Sequence, residues 1–314
     1  RSNTITGKDT NHMSQSSFGN KFKVTTWGES HGKALGAVID GCPAGLPLCE
    51  EDIQKFLDRR KPGQSRYTTA RKEGDLVEIL SGVFEGKTTG TPISLMVRNT
   101  DQRSRDYGNI AYSYRPGHAD YTFDQKYGFR DYRGGGRSSG RETIGRVAAG
   151  AIASKILGEL GISICTYTKS IGPVEIASFN KEEIHQNAFY MPDAQAAVKA
   201  GEYLEECMKN QDSAGGVIEC RITGTPAGLG EPVFDKLSAL LAHALMSIGA
   251  VKAVEIGDGI AVTSSNGSTD NDGFTVKDGK IIKTSNHAGG IMGGISDGSE
   301  IILQPHPSAS RSRP

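Results

Sequence analysis

The sequence predicts an α+β fold built from two related halves. Three amphipathic helices are interspersed with short β-rich segments, and their apolar residues repeat with helical period. Tight glycine turns such as Asp278-Gly279 are typical of antiparallel strand pairs. The pattern Gly-x-Pro-Ala-Gly-Leu occurs at 41–46 and again at 224–229, each time between a strand and a helix. We infer two halves related by a pseudo-two-fold axis; chance recurrence of a Gly/Pro turn is the alternative.

The composition indicates a globular protein with balanced charge. Among 314 residues, 36 are basic and 36 acidic, and 36% are hydrophobic. No run approaches 18 apolar residues, so we expect no membrane span. Five scattered cysteines without a CxxC pair favour reduced thiols in a cytoplasmic protein. Residues 1–12 are polar and aperiodic, and we interpret them as an added leader that precedes a native start at Met13.

The periodicity assigns the elements of both halves. The first half should contain strands at 22–26 and 34–39, a helix from about Glu50, and an antiparallel pair formed by 76–84 and 92–97. The second half should contain strands at 162–168, 215–222 and 251–256, helices at 194–208 and 237–248, and a hairpin at 274–282.

The chemistry is concentrated in residues 115–157. A Pro-Gly turn at 115–120 presents an arginine, His118 and an aspartate within six residues. A glycine run then leads through Arg137, Ser138 and Ser139 into a helix, for which Ser139 and Glu142 have the spacing of a capping box. Glycines, a cation and hydroxyls at a helix N-terminus predict a phosphate site, although such a run can also be only a flexible loop.

Two further segments carry candidate ligand-binding residues. His31 follows a predicted strand within Gly-Glu-Ser-His-Gly, on a loop where side chains and backbone can converge on a ligand; a surface turn is the alternative. Arg60 and Arg66 flank the Pro62-Gly63 turn and are candidates for contact with an anion. An arginine cluster in a protein without net charge favours a compact polyanion over nucleic acid.

These segments together resemble the signature motifs of the chorismate synthase family. The resemblance rests on residues 28–32, 115–120, 132–139 and 141–143, and further on 226–232, 242–248 and 285–290, in this order between about Phe18 and Ile302. It implies one catalytic domain at 13–302 with a β-α-β sandwich fold. It also implies a cytoplasmic homotetramer that converts 5-enolpyruvylshikimate 3-phosphate to chorismate and phosphate in the shikimate pathway. The reaction is an anti-1,4-elimination that requires reduced FMN, with NADPH as a candidate reductant.

The resemblance also assigns roles to individual residues. His31 and His118 match the catalytic histidines: His31 would protonate the departing phosphate, and His118 would stabilise or protonate the reduced flavin. Arg60 and Arg66 match positions on the substrate or NADPH side. The FMN-binding positions are matched by Arg137, Ser138, Ser139, Gly249, Ala250 and Gly293. Many relatives have asparagine where this chain has Gly249, so that only the backbone could bind there.

The sequence departs from the family pattern at its end. Relatives continue with a Lys-Pro-Thr flavin contact and an Arg-His-Asp-Pro motif that supplies the proposed base, and neither occurs here. We therefore expect a truncated or frame-shifted segment at 303–314 that is extended or mobile, with weak binding of reduced FMN and slow or absent turnover. Two other classes stay open: a flavin- or nucleotide-binding protein without lyase activity, and an RNA-binding module that uses the arginine cluster with neighbouring tyrosines.

Overall fold

A computed structural model describes residues 16–61, 63, 74–100, 112–132 and 135–309. The predicted leader at 1–12 lies outside the described residues. The chain divides into two compact units whose boundary falls between Ile156 and Leu157. Each unit contains a five-stranded antiparallel sheet together with helices, which confirms the predicted α+β class.

The first unit is built on a sheet with strand order β1-β2-β3-β7-β4. The predicted pairing of the segments at 76–84 and 92–97 is confirmed for β4 and β7, whereas β5 pairs with β6 in a separate hairpin. The elements are β1 (Ser17–Phe18), β2 (Lys23–Gly28), β3 (Ala34–Asp40), α1 (Glu50–Arg60), β4 (Val77–Ile79), β5 (Val83–Phe84), β6 (Lys87–Thr88), β7 (Ile93–Arg98), α2 (Asp120–Tyr127) and α3 (Thr143–Glu159).

Helices α1 and α3 contribute to the core of this unit. Alternate residues of β3 and β7 are buried and share one cluster with Ile53 and Leu57 of α1 and with Ile144 and Ile152 of α3. At Gly145 a Cβ atom would lie only 2.8 Å from the carbonyl oxygen of Gly36, so α3 begins in close contact with β3. Burial of these apolar side chains therefore places the start of α3 beside the strands that lead to His31.

The second unit is built on a sheet with strand order β11-β16-β10-β8-β9. The predicted hairpin at Asp278-Gly279 is confirmed, and both residues have the positive φ that this turn requires. The elements are β8 (Ser163–Ile171), β9 (Val174–Glu175), α4 (Ala194–Lys209), β10 (Gly216–Thr223), α5 (Leu237–Met246), β11 (Val251–Ile256), α6 (Gly267–Asp270), β12 (Phe274–Lys277), β13 (Lys280–Lys283), β14 (Ile291–Met292), β15 (Ile295–Ser296) and β16 (Ile301–Pro307).

Strand β16 corrects the prediction for the last residues. The sequence predicts that the chain from Leu303 onwards is extended or mobile and forms no packed element, because it has few apolar side chains and three prolines. Instead β16 lies between β10 and β11, and Leu303 pairs with Cys220 on one side and Ile256 on the other. Pairing on both sides and burial of Leu303 offset the poor local propensity. The prediction is thus wrong for 303–307, and 310–314 lie outside the described residues.

Replacing Leu303 by alanine should destabilise the protein by about 2–5 kcal/mol, the usual cost of truncating a buried leucine. Leu303 is 2% exposed and packs in a cluster with Ile291 and Ile301. Denaturant unfolding measures the effect, and Gln304→Ala on the same strand serves as the control, with an expected change within about 1 kcal/mol. Equal stability of the two variants would show that β16 contributes little to this unit.

The repeated hexapeptide has the same local structure in both units. Gly41 follows β3 with φ 78°, and Gly224 follows β10 with φ 80°. A Cβ atom would lie 1.7 Å from the carbonyl oxygen of Lys21 at the first position and 2.1 Å from that of Gly161 at the second. Both glycines are therefore required by a positive φ and by close approach of another segment. The pseudo-two-fold relation between the units stays a prediction.

Candidate active site

His31 lies on the short connection between β2 and β3. The side chain is 9% exposed and the preceding Ser30 only 1%, although the segment follows an exposed Glu29. The Ser30 hydroxyl is 3.1 Å from Nδ1 of the imidazole. The predicted surface-turn alternative for His31 therefore does not hold, because the imidazole is buried and hydrogen-bonded within the first unit.

Arg137 connects the glycine turn to the His31 connection. Its Nη1 donates to the carbonyl oxygen of Gly28 at 3.0 Å, and its Nη2 donates to the carbonyl oxygen of Thr26 at 3.2 Å and to the hydroxyl of Thr26 at 2.6 Å. These residues are more than a hundred positions apart in sequence. The fold thus brings two motifs together that the sequence could only identify separately.

The turn before α3 differs from the predicted capping box. Two short 3-10 segments, Gly136–Ser138 and Gly140–Glu142, come first, and the α-helix begins at Thr143. Ser139 does act as an N-cap and accepts from the backbone N–H of Arg141. The Glu142 carboxylate, however, accepts from Thr26 at 2.8 Å and from Arg146 at 2.9 Å. The capping box is therefore wrong, because the distant Thr26 and the neighbouring helix residue Arg146 compete for the glutamate.

His118 belongs to a turn that also lies beside this glycine segment. The guanidinium of Arg115 approaches to 3.6 Å from the position that a Cβ atom would occupy on Gly135. Arg115 also forms a bidentate ion pair with Asp120, at 2.9 and 2.8 Å. Although His118 is exposed at the surface, partial desolvation lowers its pKa, and the charge of Arg115 adds to this effect. Desolvation and this charge therefore favour the neutral form of the imidazole.

Asp120→Asn should lower stability by about 2 kcal/mol at pH 7, and the effect should disappear in acid. The hydrogen bonds from Arg115 lower the pKa of Asp120 from its usual 3.8 to about 2. A carboxyl whose folded-state pKa is depressed contributes stability above the unfolded pKa and loses it as pH falls through the folded one. Urea unfolding should therefore separate the variant from the wild type at pH 7 but not near pH 2. A difference that persists unchanged at pH 2 would contradict this.

Arg60, a candidate for anion binding, is engaged with the protein. Its Nη1 pairs with Asp75 at 3.0 Å, its Nε donates to the hydroxyl of Thr143 at 3.2 Å, and its Nη2 donates to the carbonyl oxygen of Gly140 at 3.2 Å. Arg141 pairs with the same carboxylate at 3.0 Å. Arg60 thus lies beside the glycine turn, and its contact with an anion stays a prediction. Arg66 lies outside the described residues.

The remaining candidates belong to the second unit. Gly249 and Ala250 form the exposed link between α5 and β11, where Ala250 has a φ of 71°. Gly293 occupies the turn between β14 and β15 with a φ of 61°. The cofactor-binding roles of Gly249, Ala250 and Gly293 stay predictions.

Ser138 is a candidate of the first unit. Its hydroxyl donates to the carbonyl oxygen of Gly135 at 2.7 Å.

A buried aspartate fixes another motif of the second unit, at 285–290. Asp272 accepts hydrogen bonds from the Ser285 hydroxyl at 2.6 Å and from the backbone N–H groups of His287 at 2.8 Å and Ala288 at 3.1 Å. Lys283 pairs with it at 2.9 Å. Despite its burial, these partners hold the pKa of Asp272 well below its usual value. The motif is therefore held rigidly by its own unit.

Comparison with known proteins identifies the family of this arrangement. The family model described as chorismate synthase matches residues 22–312. The chain belongs to the chorismate synthase family. It is therefore a lyase. No helix in the described ranges is long and apolar enough to cross a membrane.

Individual relatives agree with this assignment. The chain is 65% identical to the chorismate synthase of Agathobacter rectalis over 302 residues, which cover 94% of this chain and 82% of the relative. It is also 65% identical to the chorismate synthase of Lachnoclostridium phytofermentans, with 95% and 83% covered. A crystal structure of a chorismate synthase matches with a TM-score of 0.79 at 34% identity. The match covers 92% of this chain and 85% of the chain in that crystal structure.

Three residues near the site had no assigned role in the sequence. Thr26 accepts a hydrogen bond from Arg137, and Asp75 pairs with Arg141. Asn99 donates to the carbonyl oxygen of Gly32, next to His31. Asp75 is 2% exposed and has a φ of 45°, which is unusual for a residue other than glycine. A lone aspartate or threonine gives no signal of this kind, because its partners are distant in sequence. Asn99 was visible only as the start of a polar loop after a strand.

Proposed function

We propose that this chain catalyses the anti-1,4-elimination of phosphate from 5-enolpyruvylshikimate 3-phosphate to give chorismate, with reduced FMN. The observation that carries the proposal is the meeting of three motifs in the first unit. Arg137 contacts the strand end before His31, and Arg115 of the His118 turn lies beside Gly135. We further propose a cytoplasmic enzyme of the shikimate pathway that acts as a homotetramer and takes NADPH as a reductant.

The residues present suit a phosphate-bearing cofactor. Around Gly136 and Gly140, no heavy atom of the described chain lies within 4 Å of the position of a Cβ, so a ligand can approach the backbone closely. The same is true of Gly249 and Gly293 in the second unit. Arg137 adds a guanidinium held in a fixed orientation by Thr26. In the first unit, Arg137, Ser138 and Ser139 would hold the FMN and offer backbone and charged donors together. By resemblance, Gly249, Ala250 and Gly293 of the second unit are also proposed FMN-binding positions.

When bound, reduced FMN would supply electron density that assists C–O cleavage with no net change in oxidation state. His31 would deliver a proton to the departing phosphate. As an imidazolium, His31 would donate from Nδ1–H to the Ser30 hydroxyl, 3.1 Å away, and release the proton on Nε2 to the phosphate, which leaves a neutral ring still hydrogen-bonded to Ser30. Burial of His31 excludes water from this step.

His118 would act next to the cofactor, where it would stabilise or protonate the reduced ring system. Desolvation and the neighbouring Arg115 lower its pKa, so the protonated imidazole would be a stronger acid towards the flavin than a free histidine. Arg60, and Arg66 by resemblance, would contact the anionic groups of the substrate or NADPH. A substrate with one phosphate and two carboxylates suits several guanidiniums, since each can bind an oxyanion with two parallel hydrogen bonds.

Anaerobic chorismate formation tests the proposal directly. The protein would be incubated with the phosphorylated substrate and photoreduced FMN, and in parallel with NADPH and oxidised FMN. Chorismate in the first reaction supports the lyase function, and chorismate in the second shows that the protein also reduces its own flavin. Spectral titration with FMN completes the test. Flavin binding without product in either reaction would favour a binding protein without lyase activity.

Arg137→Ala should weaken FMN binding by about 2 kcal/mol, or about 30-fold in Kd, the scale of a charge-assisted hydrogen bond. Arg146→Ala is the matched control, because Arg146 pairs with the same Glu142 one turn further along α3. Its Kd should stay within about threefold of the wild type. Fluorescence titration of FMN measures both. An unchanged affinity of the Arg137 variant would restrict this arginine to a structural role at Thr26 and Gly28.

A further inference from the structure

Asn99 brackets the segment that carries His31. Its Nδ2 donates to the carbonyl oxygen of Glu29 at 3.1 Å and to that of Gly32 at 2.7 Å, on either side of Ser30 and His31. The backbone N–H of Asn99 also donates to the carbonyl oxygen of Lys33 at 3.1 Å. Asn99, directly after β7, thus binds three carbonyl groups of the connection between β2 and β3.

The amide of Asn99 is itself held in one orientation. Arg141 donates to Oδ1 of Asn99 from Nε at 3.1 Å and from Nη2 at 2.8 Å. Because Oδ1 accepts both bonds, Nδ2 must face the two carbonyl groups. Arg141 is 6% exposed and pairs with the buried Asp75 at 3.0 Å. The chain of contacts therefore runs from a buried ion pair through Asn99 to the backbone around His31.

We propose that Asn99 is a positioning residue for the reaction and acts through His31. This rests on the catalytic role proposed for His31. An asparagine is suited to the place because it accepts from a guanidinium with one atom and donates to two carbonyls with the other. An aspartate could pair with Arg141 but would turn an oxygen towards the carbonyl oxygens. Misplacement of a catalytic group by about 1 Å can cost on the order of 100-fold in rate.

Asn99→Asp and Asn99→Ala separate this role from stability. In Asn99→Asp the ion pair with Arg141 should keep the thermal midpoint close to that of the wild type, while kcat falls about 10- to 100-fold and KM changes less than about threefold. Asn99→Ala should lose kcat similarly. Arg98→Ala is the matched control, since the neighbouring Arg98 is exposed and pairs with Glu78, and its kcat should be unchanged. Full kcat in the folded Asn99→Asp variant overturns the proposal.

A double-mutant cycle shows whether Asn99 acts through His31. If it does, His31→Ala combined with Asn99→Asp should be no slower than His31→Ala alone. Multiplication of the two losses would overturn the proposal. Hydrogen exchange of residues 28–33 gives a readout independent of activity, and it should be faster in Asn99→Asp without faster exchange in β3 and β7. A normal rate in His31→Ala would contradict the function proposed for His31, and the proposed role of Asn99 in the reaction would fail with it. The hydrogen-exchange data would still show whether Asn99 holds residues 28–33.

Discussion

Replacing His31 by alanine should lower the rate of chorismate formation by about 10² to 10⁴, the usual contribution of a general acid or base. His31 is buried beside Ser30 on the connection that Arg137 and Asn99 hold from two sides. Its removal takes away the proton donor proposed for the departing phosphate but leaves these contacts in place. Steady-state kinetics with photoreduced FMN measure the loss, and a circular dichroism melt verifies folding.

His118→Ala should produce a loss of the same order, because the imidazole proposed to stabilise or protonate the reduced flavin would be absent. His185→Ala is a suitable control. His185 is an exposed histidine on a 3-10 segment of the second unit, outside the proposed machinery. The His185→Ala variant should form chorismate at the rate of the wild type. Wild-type rates in both the His31 and the His118 variants would remove the proposed roles of these histidines.

Asp75→Asn should destabilise the protein by about 3–5 kcal/mol, the cost of removing one partner from a buried ion pair. The Asp75 side chain is fully buried and pairs with Arg60 and Arg141, each at 3.0 Å. Asparagine tolerates the positive φ of this position, so the substitution removes the charge without backbone strain. The two guanidiniums would be left facing a neutral amide.

Denaturant unfolding at pH 7 measures this effect. Glu78→Gln is the control, because Glu78 pairs with Arg98 at 2.9 Å on an exposed surface, where an ion pair contributes less than about 1 kcal/mol. We also expect Asp75→Asn to lower turnover, since Arg141 would lose an anchor on the path to Asn99. A midpoint within the error of the Glu78→Gln value would show that other groups satisfy both arginines.

Several elements could be predicted from the sequence because their signals are local. The helix at Glu50–Arg60 has acidic residues in its first turn and arginines in its last, and its apolar residues Ile53 and Leu57 are buried as the periodicity predicts. The hairpin at Asp278-Gly279 follows from a dipeptide that favours positive φ. Family membership could also be inferred from the sequence, since several ordered motifs are far more specific than one glycine run.

Other features depended on contacts between distant residues. The capping box was wrong because Thr26, 116 positions away, shares Glu142 with the local partner Arg146. Strand β16 was missed because pairing with β10 and β11 outweighs the prolines. No local pattern identified Asp75, whose partners lie 15 and 66 positions away.

The sequence by itself determined the α+β class, the family and the identity of the candidate catalytic side chains, because turn chemistry, periodicity and motifs are properties of neighbouring residues. Only the tertiary structure decided that Arg137 faces Gly28, that Asn99 brackets His31 and that Asp75 is shared by two arginines. A buried polar group must find a partner, and which partner it finds depends on how the helices and sheet of the first unit pack.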